Sequence, residues 1–235
     1  MSTPLWVLVP AAGIGARMRA DRPKQYLPLA GKTVLAVTLE RLATVSGISG
    51  ILVGIGDDDP WWPEISTRVT AARETFRGGA ERAQTVLNGL HSLSRFASPD
   101  DLVLVHDAVR PCVRAADIVR LIERAGAHAD GGLLALPVSD TVKRSDAGNF
   151  VVETVARDRL WRALTPQMFR LKRLGDALSA AIARGDSVTD EAFAIEQAGG
   201  KPMLVESAAD NIKITVPADL ALAEMILNSQ AREGA

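Results

Sequence analysis

Three cations and one run of small residues are where chemistry could gather in this sequence. Leu5 to Val9 is a short apolar run, followed by Pro10-Ala11-Ala12-Gly13-Ile14-Gly15-Ala16-Arg17-Met18. A buried strand that gives way at once to small residues is how an α/β domain makes room for a ligand phosphate. Ala11, Ala12, Gly13 and Gly15 let backbone N–H groups approach an anion closely. Arg17 and Lys24 bring positive charge to the same loop, Arg as a two-pronged donor to phosphate and Lys as a mobile point charge. The third cation is Lys213 in Asp210-Asn211-Ile212-Lys213-Ile214-Thr215, where polar and apolar residues alternate as in a strand. A lysine among apolar neighbours is costly unless it meets an anion. The set fits the polyphosphate of a nucleotide, with more charge than passive binding requires.

Other readings of these residues are weaker. Met18 stands where a dinucleotide fingerprint needs its third glycine. Gly31-Lys32-Thr33 looks like the end of a P-loop, but Tyr26 occupies the position of the first Walker glycine. Lys32 is therefore read as a solvated turn residue. Asp57-Asp58-Asp59 is read as an acidic turn, because a consecutive run lacks the convergent spacing of metal ligands.

Two more junctions add candidates. Thr75 to Gly79 reads as a strand ending in a glycine pair, and Ala80 to Leu93 as a helix with Glu81, Arg82, Gln84 and Thr85 near its start. A ligand-facing turn at the sheet's carboxyl edge fits this segment, but taken alone it reads as a plain tight turn. Asp101 to Val105 is a buried strand running into His106-Asp107-Ala108-Val109-Arg110-Pro111-Cys112. Asp107 at such a strand end could face a metal–nucleotide complex or a substrate hydroxyl. Arg110 could bind phosphate or organise the loop. His106 is read as a satisfied structural histidine rather than a base, and Cys112 as a small buried apolar residue.

The elements that must position these groups alternate strand and helix. Val34 to Val45 has helical spacing with Thr33 as N-cap, and Ile51 to Ile55 is a second buried strand. Trp61 and Trp62 begin an irregular or helical segment that covers an edge of the core. Ala115 to Ala125 is an amphipathic helix, and Gly132 to Val138 a buried strand. Ser139 to Arg144 and Phe150 to Val155 flank a polar turn and read as a projecting hairpin, whose apolar face needs a second surface such as another subunit. Arg157 to Trp161 and Ala163 to Phe169 are assigned no regular element. Leu171 to Ala183 is helical. Ser187 or Thr189 caps a further helix, or Thr189 is a phosphate ligand at its N-terminus. Pro202 to Val205 is a short strand, Pro217 to Leu227 a final helix, and the chain from Asn228 a frayed tail.

Composition narrows the class. The 235 residues suffice for a substantial core, and 47% apolar with 23% charged residues is ordinary for a soluble enzyme. A net charge of -1 argues against a general nucleic-acid binder. The single cysteine excludes an intrachain disulfide and any multi-cysteine metal site, and fits a reducing compartment. No signal peptide or apolar run long enough to span a bilayer is seen.

Taken in order, Val9 to Met18, Pro23-Lys24-Gln25-Tyr26, Val105 to Pro111, Leu164-Thr165-Pro166-Gln167, Val188 to Ala192 and Asp210 to Thr215 resemble the 2-C-methyl-D-erythritol 4-phosphate cytidylyltransferases of the non-mevalonate isoprenoid pathway. The resemblance implies an α/β, Rossmann-like nucleotidyltransferase domain of the nucleotide-diphospho-sugar transferase type over residues 1–235. That fold is a three-layer sandwich with a protruding β-arm at 139–157. It implies a cytoplasmic homodimer through that arm, with CTP, methylerythritol phosphate and Mg²⁺ as ligands and no nucleic-acid or membrane partner. Arg17, Lys24 and Lys213 would be catalytic. Ala11, Ala12, Gly13, Gly15, Gly79 and Thr85 would surround the nucleotide, with Thr85 where the family often has serine. Arg157, Thr165 and Thr189 would bind the methylerythritol phosphate, with Asp107, Arg110 and Thr141 near its hydroxyls and Thr141 and Arg157 supplied by the partner's arm. Asp107 is also a possible metal ligand, although the phosphates would hold most of the Mg²⁺. Ala80 departs from relatives that have Asp after the glycine pair. The alternatives are a pentitol-phosphate (ribitol 5-phosphate) cytidylyltransferase on the same scaffold and, in a different class, a nicotinamide-dependent reductase. A non-enzymatic nucleotide-binding module would not need Lys213 beside Arg17 and Lys24.

Overall fold

The structure is a computed structural model and describes residues 3–13, 21–66 and 72–233. Gly15 and Arg17 lie outside the described residues.

Seven strands form one sheet: β1 (Leu5–Pro10), β4 (Ile48–Ile55), β5 (Ala72–Arg77), β6 (Leu102–Val105), β7 (Gly132–Pro137), β10 (Trp161–Arg170) and β11 (Met203–Glu206), in the order β11-β7-β10-β6-β1-β4-β5. The pairings β1/β4, β1/β6, β4/β5 and β7/β11 are parallel, and β10 is antiparallel to both β6 and β7. Strand order runs from β1 outward through β4 to β5 and then returns to β6 on the other side of β1. Such a reversal leaves a crevice at the carboxyl ends of the two central strands. β1 is buried on both faces, which is why Leu5 to Val9 reads as a continuous apolar run.

Helices cover both faces. The helices α1 (Val34–Ala43), α2 (Trp62–Ser66) and α4 (Ala115–Ala125) lie on one, packing Leu35, Leu39, Ile65, Ile118 and Leu121 onto Val7, Val9 and Leu104. α3 (Arg82–Leu93), α5 (Leu171–Ala183) and α6 (Glu191–Gln197) lie on the other, with Val86, Leu90, Leu174, Leu178 and Ile195 against Leu8, Leu52 and Val103. α7 (Ala218–Glu233) closes a third cluster with Val34, Val37, Val109, Cys112 and Ile214. Thr33 caps α1, its side chain accepting from the Ala36 N–H at 3.2 Å. Asp59 accepts from the N–H groups of Trp61 and Trp62 at the start of α2 and from the Tyr26 hydroxyl at 2.7 Å, so that part of the acidic turn is structural. Lys32, in the short strand β3 (Lys32–Thr33) paired with β2 (Pro28–Leu29), is exposed and bonded to Glu40.

The hairpin β8 (Val142–Ser145) and β9 (Val151–Val155) forms a two-stranded sheet of its own. Its turn is held by Asp146, whose carboxylate accepts from the N–H groups of Gly148 and Phe150. Asn149 takes the left-handed conformation that closes the turn, at φ 65°. Phe150, Val151 and Val152 stand 74%, 64% and 63% exposed at its end.

Four expectations are corrected. The segment given no element, 161–170, is the central antiparallel strand β10. Pro166 argues against a central strand, but a register shift between Ala163 and Gln167 takes the proline out of the ladder. Neither Ser187 nor Thr189 caps α6: Asp190 does, accepting from the Phe193 N–H at 2.9 Å. The alternation at 210–215 is coil rather than strand, pinned instead by the Ile214 N–H on the Val109 carbonyl. The tail from Asn228 is helical to Glu233, because Gln230 is buried and donates to the Cys112 carbonyl and to Asp210, each at 2.9 Å.

Candidate active site

The crevice between the ends of β1 and β6 is a cleft of about 380 Å³. Ala11, Ala12, Gly13, Lys24, Gly79, Thr85, Asp107 and Lys213 all line it. Its floor is two backbone loops pressed together. The Ala11 N–H donates to the Gly54 carbonyl at 2.7 Å and the Gly78 N–H to that of Ile55 at 2.8 Å. A Cβ on Gly78 would run into the Ala12 methyl, so glycine is required by the approach of the two loops. Gln25, buried behind the first loop, donates to the carbonyls of Ala11 at 2.6 Å and Gly13 at 2.9 Å. Gln25 thereby occupies two carbonyls whose lone pairs would otherwise repel an anion in the cleft. The Thr85 hydroxyl accepts from the Gly79 N–H at 2.9 Å and donates to the Glu81 carbonyl at 3.1 Å. It therefore shapes the second loop and has no free proton to offer a nucleotide.

Charge converges on Asp107. Its carboxylate accepts from Arg82 Nε at 3.1 Å, Lys213 Nζ at 2.9 Å and Arg110 Nε at 3.4 Å. Burial alone would raise this carboxyl, but Arg82, Lys213 and Arg110 outweigh it and hold it well below the usual carboxylate range. Arg82 also grips Glu191 with both terminal nitrogens, at 2.6 and 3.1 Å. Burial would lower Arg82, yet Glu191 and Asp107 carry it above its ordinary value. Lys213 is different in kind: its side chain is 39% exposed and can turn from Asp107 to a ligand. Lys24 donates to the Ile214 carbonyl at 3.1 Å, which brings it to the residue next to Lys213. The distant ends of the sequence thus deliver two lysines to one place.

Behind the cleft lies a neutral relay. The Asp107 N–H donates to Thr165 Oγ1 at 3.0 Å, and Thr165 Oγ1 lies 3.1 Å from His106 Nδ1. With the hydroxyl donating to Nδ1, the His106 proton sits on Nε2, 3.1 Å from the Arg110 carbonyl. Burial is the chief reason His106 is pushed down to about 4, so the ring is neutral and structural. Asn211 Nδ2 donates to the Thr165 carbonyl at 2.9 Å, while Arg110 Nη1 donates to the Asn211 carbonyl at 2.8 Å. These bonds fix the coil that carries Lys213. Cys112 is fully buried, its thiol pushed up to about 12 chiefly by burial, in keeping with an apolar role.

The remaining sequence candidates are placed differently. Arg110 and Thr165 support Asp107 from behind and do not line the cleft. Thr141 and Arg157 are exposed near the hairpin base, where Arg157 Nη1 bonds the Ser139 carbonyl, and Thr189 is exposed just before the α6 cap. None of the three lines the cleft of its own chain. Asp107 is a poor metal ligand here, since both its oxygens already face cations, and the described residues gather no group of three metal-ligating side chains. Sequence reasoning missed Arg82, Glu191 and Gln25 as site residues. The available signals were the Arg just after the glycine pair, the Glu beside Asp190, and the polar residue adjoining Lys24.

A doubly wound sheet with a glycine-rich loop and two lysines at its central crevice defines an α/β nucleotidyltransferase. Residues 5–229 match the family described as 2-C-methyl-D-erythritol 4-phosphate cytidylyltransferase. A relative of that name from Vibrio vulnificus (strain CMCP6) is 50% identical over 228 residues, covering 97% of this chain and 96% of the relative. Another from Pseudomonas aeruginosa PAO1 is 50% identical over 216 residues, 92% of each chain. Among solved structures, a 4-diphosphocytidyl-2C-methyl-D-erythritol synthase superposes with a TM-score of 0.85 at 36% identity, covering 97% of this chain and all of that one. The Francisella tularensis 2-C-methyl-D-erythritol 4-phosphate cytidylyltransferase does so at 0.81 and 37%, covering 95% of this chain and all of that one. The chain belongs to the 2-C-methyl-D-erythritol 4-phosphate cytidylyltransferase family.

Proposed function

We infer that the cleft joins its substrates by in-line attack. The reaction is that of the family: a cytidylyl group passes from CTP to 2-C-methyl-D-erythritol 4-phosphate, giving 4-diphosphocytidyl-2-C-methyl-D-erythritol and pyrophosphate. A substrate phosphate oxygen bonds to the CTP α-phosphorus, the bond to the bridging β-oxygen breaks, and pyrophosphate leaves with that electron pair. A phosphate dianion is already nucleophilic at neutral pH, so no general base is needed. Catalysis of this kind is positioning plus charge neutralisation. The observation that carries the reading is the convergence of Lys24 and Lys213 on one coil opposite the glycine-rich loop.

In this reading the N–H groups of Ala12 and Gly13 face the phosphates. Lys24 neutralises the β- and γ-phosphates with Arg17, and Lys213 leaves Asp107 to bridge the α-phosphate and the incoming phosphate. Gly79 and its neighbours hold the nucleoside. Mg²⁺ is the divalent cation expected; it would be carried mainly by the nucleotide phosphates and would add charge neutralisation there. The chain acts as one domain over residues 1–235 and as a cytoplasmic homodimer through the arm 139–157. The partner's Thr141 and Arg157 complete the polyol-phosphate side with Thr189. The exposed Phe150, Val151 and Val152 support that arrangement, because an apolar hairpin end needs cover. No described helix is long and apolar enough to cross a membrane. The names of the relatives favour neither the ribitol 5-phosphate alternative nor a nicotinamide-dependent reductase.

The test is pyrophosphate release with CTP, Mg²⁺ and methylerythritol phosphate, beside ribitol 5-phosphate and beside ATP, GTP and UTP. Release confined to CTP with methylerythritol phosphate is expected. Release with ribitol 5-phosphate instead would overturn the substrate assignment, and release with no pair would overturn the reaction.

A further inference from the structure

We propose that Arg82, clamped by Glu191, is a positioning residue that braces the nucleotide side of the cleft against the side that receives the second substrate. The inference rests on the reading given under Proposed function.

Arg82 opens α3 immediately after Gly79, Ala80 and Glu81, which line the cleft. Its terminal nitrogens hold Glu191 at 2.6 and 3.1 Å, and its Nε holds Asp107 at 3.1 Å. One planar guanidinium therefore joins the start of α3, the start of α6 and the end of β6. The α6 end of this brace is itself fixed. The Ala192 N–H donates to Gln167 Oε1 at 2.8 Å, and Gln167 Nε2 donates to Asp190 Oδ2 at 2.9 Å. Gln167 pairs with Val105 in the sheet, one strand from the glycine-rich loop. The far oxygen of Asp107 receives Lys213, so the guanidinium also sets where the counter-ion of Lys213 stands.

Stability is a poor reason for this arrangement. Glu191 is 1% exposed, and burial raises its carboxyl against the pull of Arg82. Removing such charges from water costs as much as their attraction returns, and apolar pairs of similar volume are commonly as stable or more so. What an apolar pair lacks is direction. A guanidinium fork fixes two carboxylates at set angles, which lysine cannot do. In a reaction that depends on alignment of two bound phosphates, a small displacement of one side against the other lowers the rate with little change in binding.

Two variants separate positioning from support: Glu191→Gln, which keeps Arg82 charged, and the apolar pair Arg82→Met with Glu191→Leu. Melting temperature, kcat and both KM values are measured with CTP, Mg²⁺ and methylerythritol phosphate. Both variants are expected to fold. Each should lose kcat by about 10- to 100-fold, with each KM within about threefold of wild type. An apolar pair that melts like wild type and keeps its kcat within about twofold would overturn the proposal, since the contact would then serve only the fold. Unfolding of both variants would overturn it for the same reason, and if only Glu191→Gln unfolds the apolar pair decides. The wild-type rate, measured first, separates this claim from the one it rests on. No release from this substrate pair refutes the functional reading, whereas an active wild type with unimpaired variants refutes the brace alone.

Discussion

Replacing Asp107 with Asn keeps the shape of the side chain and removes the charge on which Arg82, Arg110 and Lys213 converge. Breaking a buried ion pair from one side costs about 3–5 kcal/mol when the remaining charge is left alone. Here the three cations have other recourse. Arg82 keeps Glu191, Arg110 keeps the Asn211 carbonyl, and Lys213 is exposed enough to turn to water. The loss is therefore nearer about 2–3 kcal/mol. At this chain length each kcal/mol moves the melting temperature by about 2–4 °C, so Asp107→Asn should melt about 4–12 °C below wild type near pH 7. The pH dependence has a definite sign. The folded Asp107 carboxyl is held below the usual range, and the unfolded one titrates near ~3.9. Its contribution is fully present above the unfolded value and is lost as pH falls below it. Thermal melts of both proteins should show a constant gap from pH ~8 to ~5 that narrows below pH ~4. A gap under ~1 °C at neutral pH, or one unchanged down to pH ~3, would refute the reasoning that three cations depend on this carboxylate.

Two further outcomes are expected. Lys24→Ala should lose turnover by orders of magnitude while folding normally, and Arg157→Ala should mainly weaken polyol-phosphate binding. If the arm acts across subunits, an equal mixture that re-equilibrates into dimers should recover up to about a quarter of wild-type activity, whereas no recovery in verified mixed dimers would place each site within one chain. His106 should remain neutral across pH ~5 to ~8 by NMR of its ring protons, and a midpoint near pH ~6.5 would contradict its burial. Because the unfolded ring takes up its proton near pH ~6.5 and the folded ring only at about 4, stability should fall as pH drops through that window.

Much of the site was legible in the chain because its signals are local. A strand ending in small residues is a statement about neighbours in sequence, and Leu5 to Gly13 lies where that statement puts it. Thr33 as a cap, the glycine pair before α3 and the polar turn of the hairpin are local in the same sense. Lys213 could be singled out because a lysine between two isoleucines needs an anion, although the partner and the coil conformation could not.

What the tertiary structure decided is what depends on closure. β10 is invisible locally because Pro166 breaks its pattern, and only pairing with β6 and β7 on either side makes it a strand. Thr165 carries a hydroxyl that fits a phosphate ligand equally well, and only its neighbours show it engaged with His106 and Asp107. Arg82 and Glu191 are separated by 109 positions, and each alone reads as an ordinary residue of a helix start. Sequence reports propensity and period, which are properties of short windows. Ion pairs between buried groups arise only when the folded sheet brings distant windows within a few ångströms, and that proximity determines which charges are free to meet a substrate.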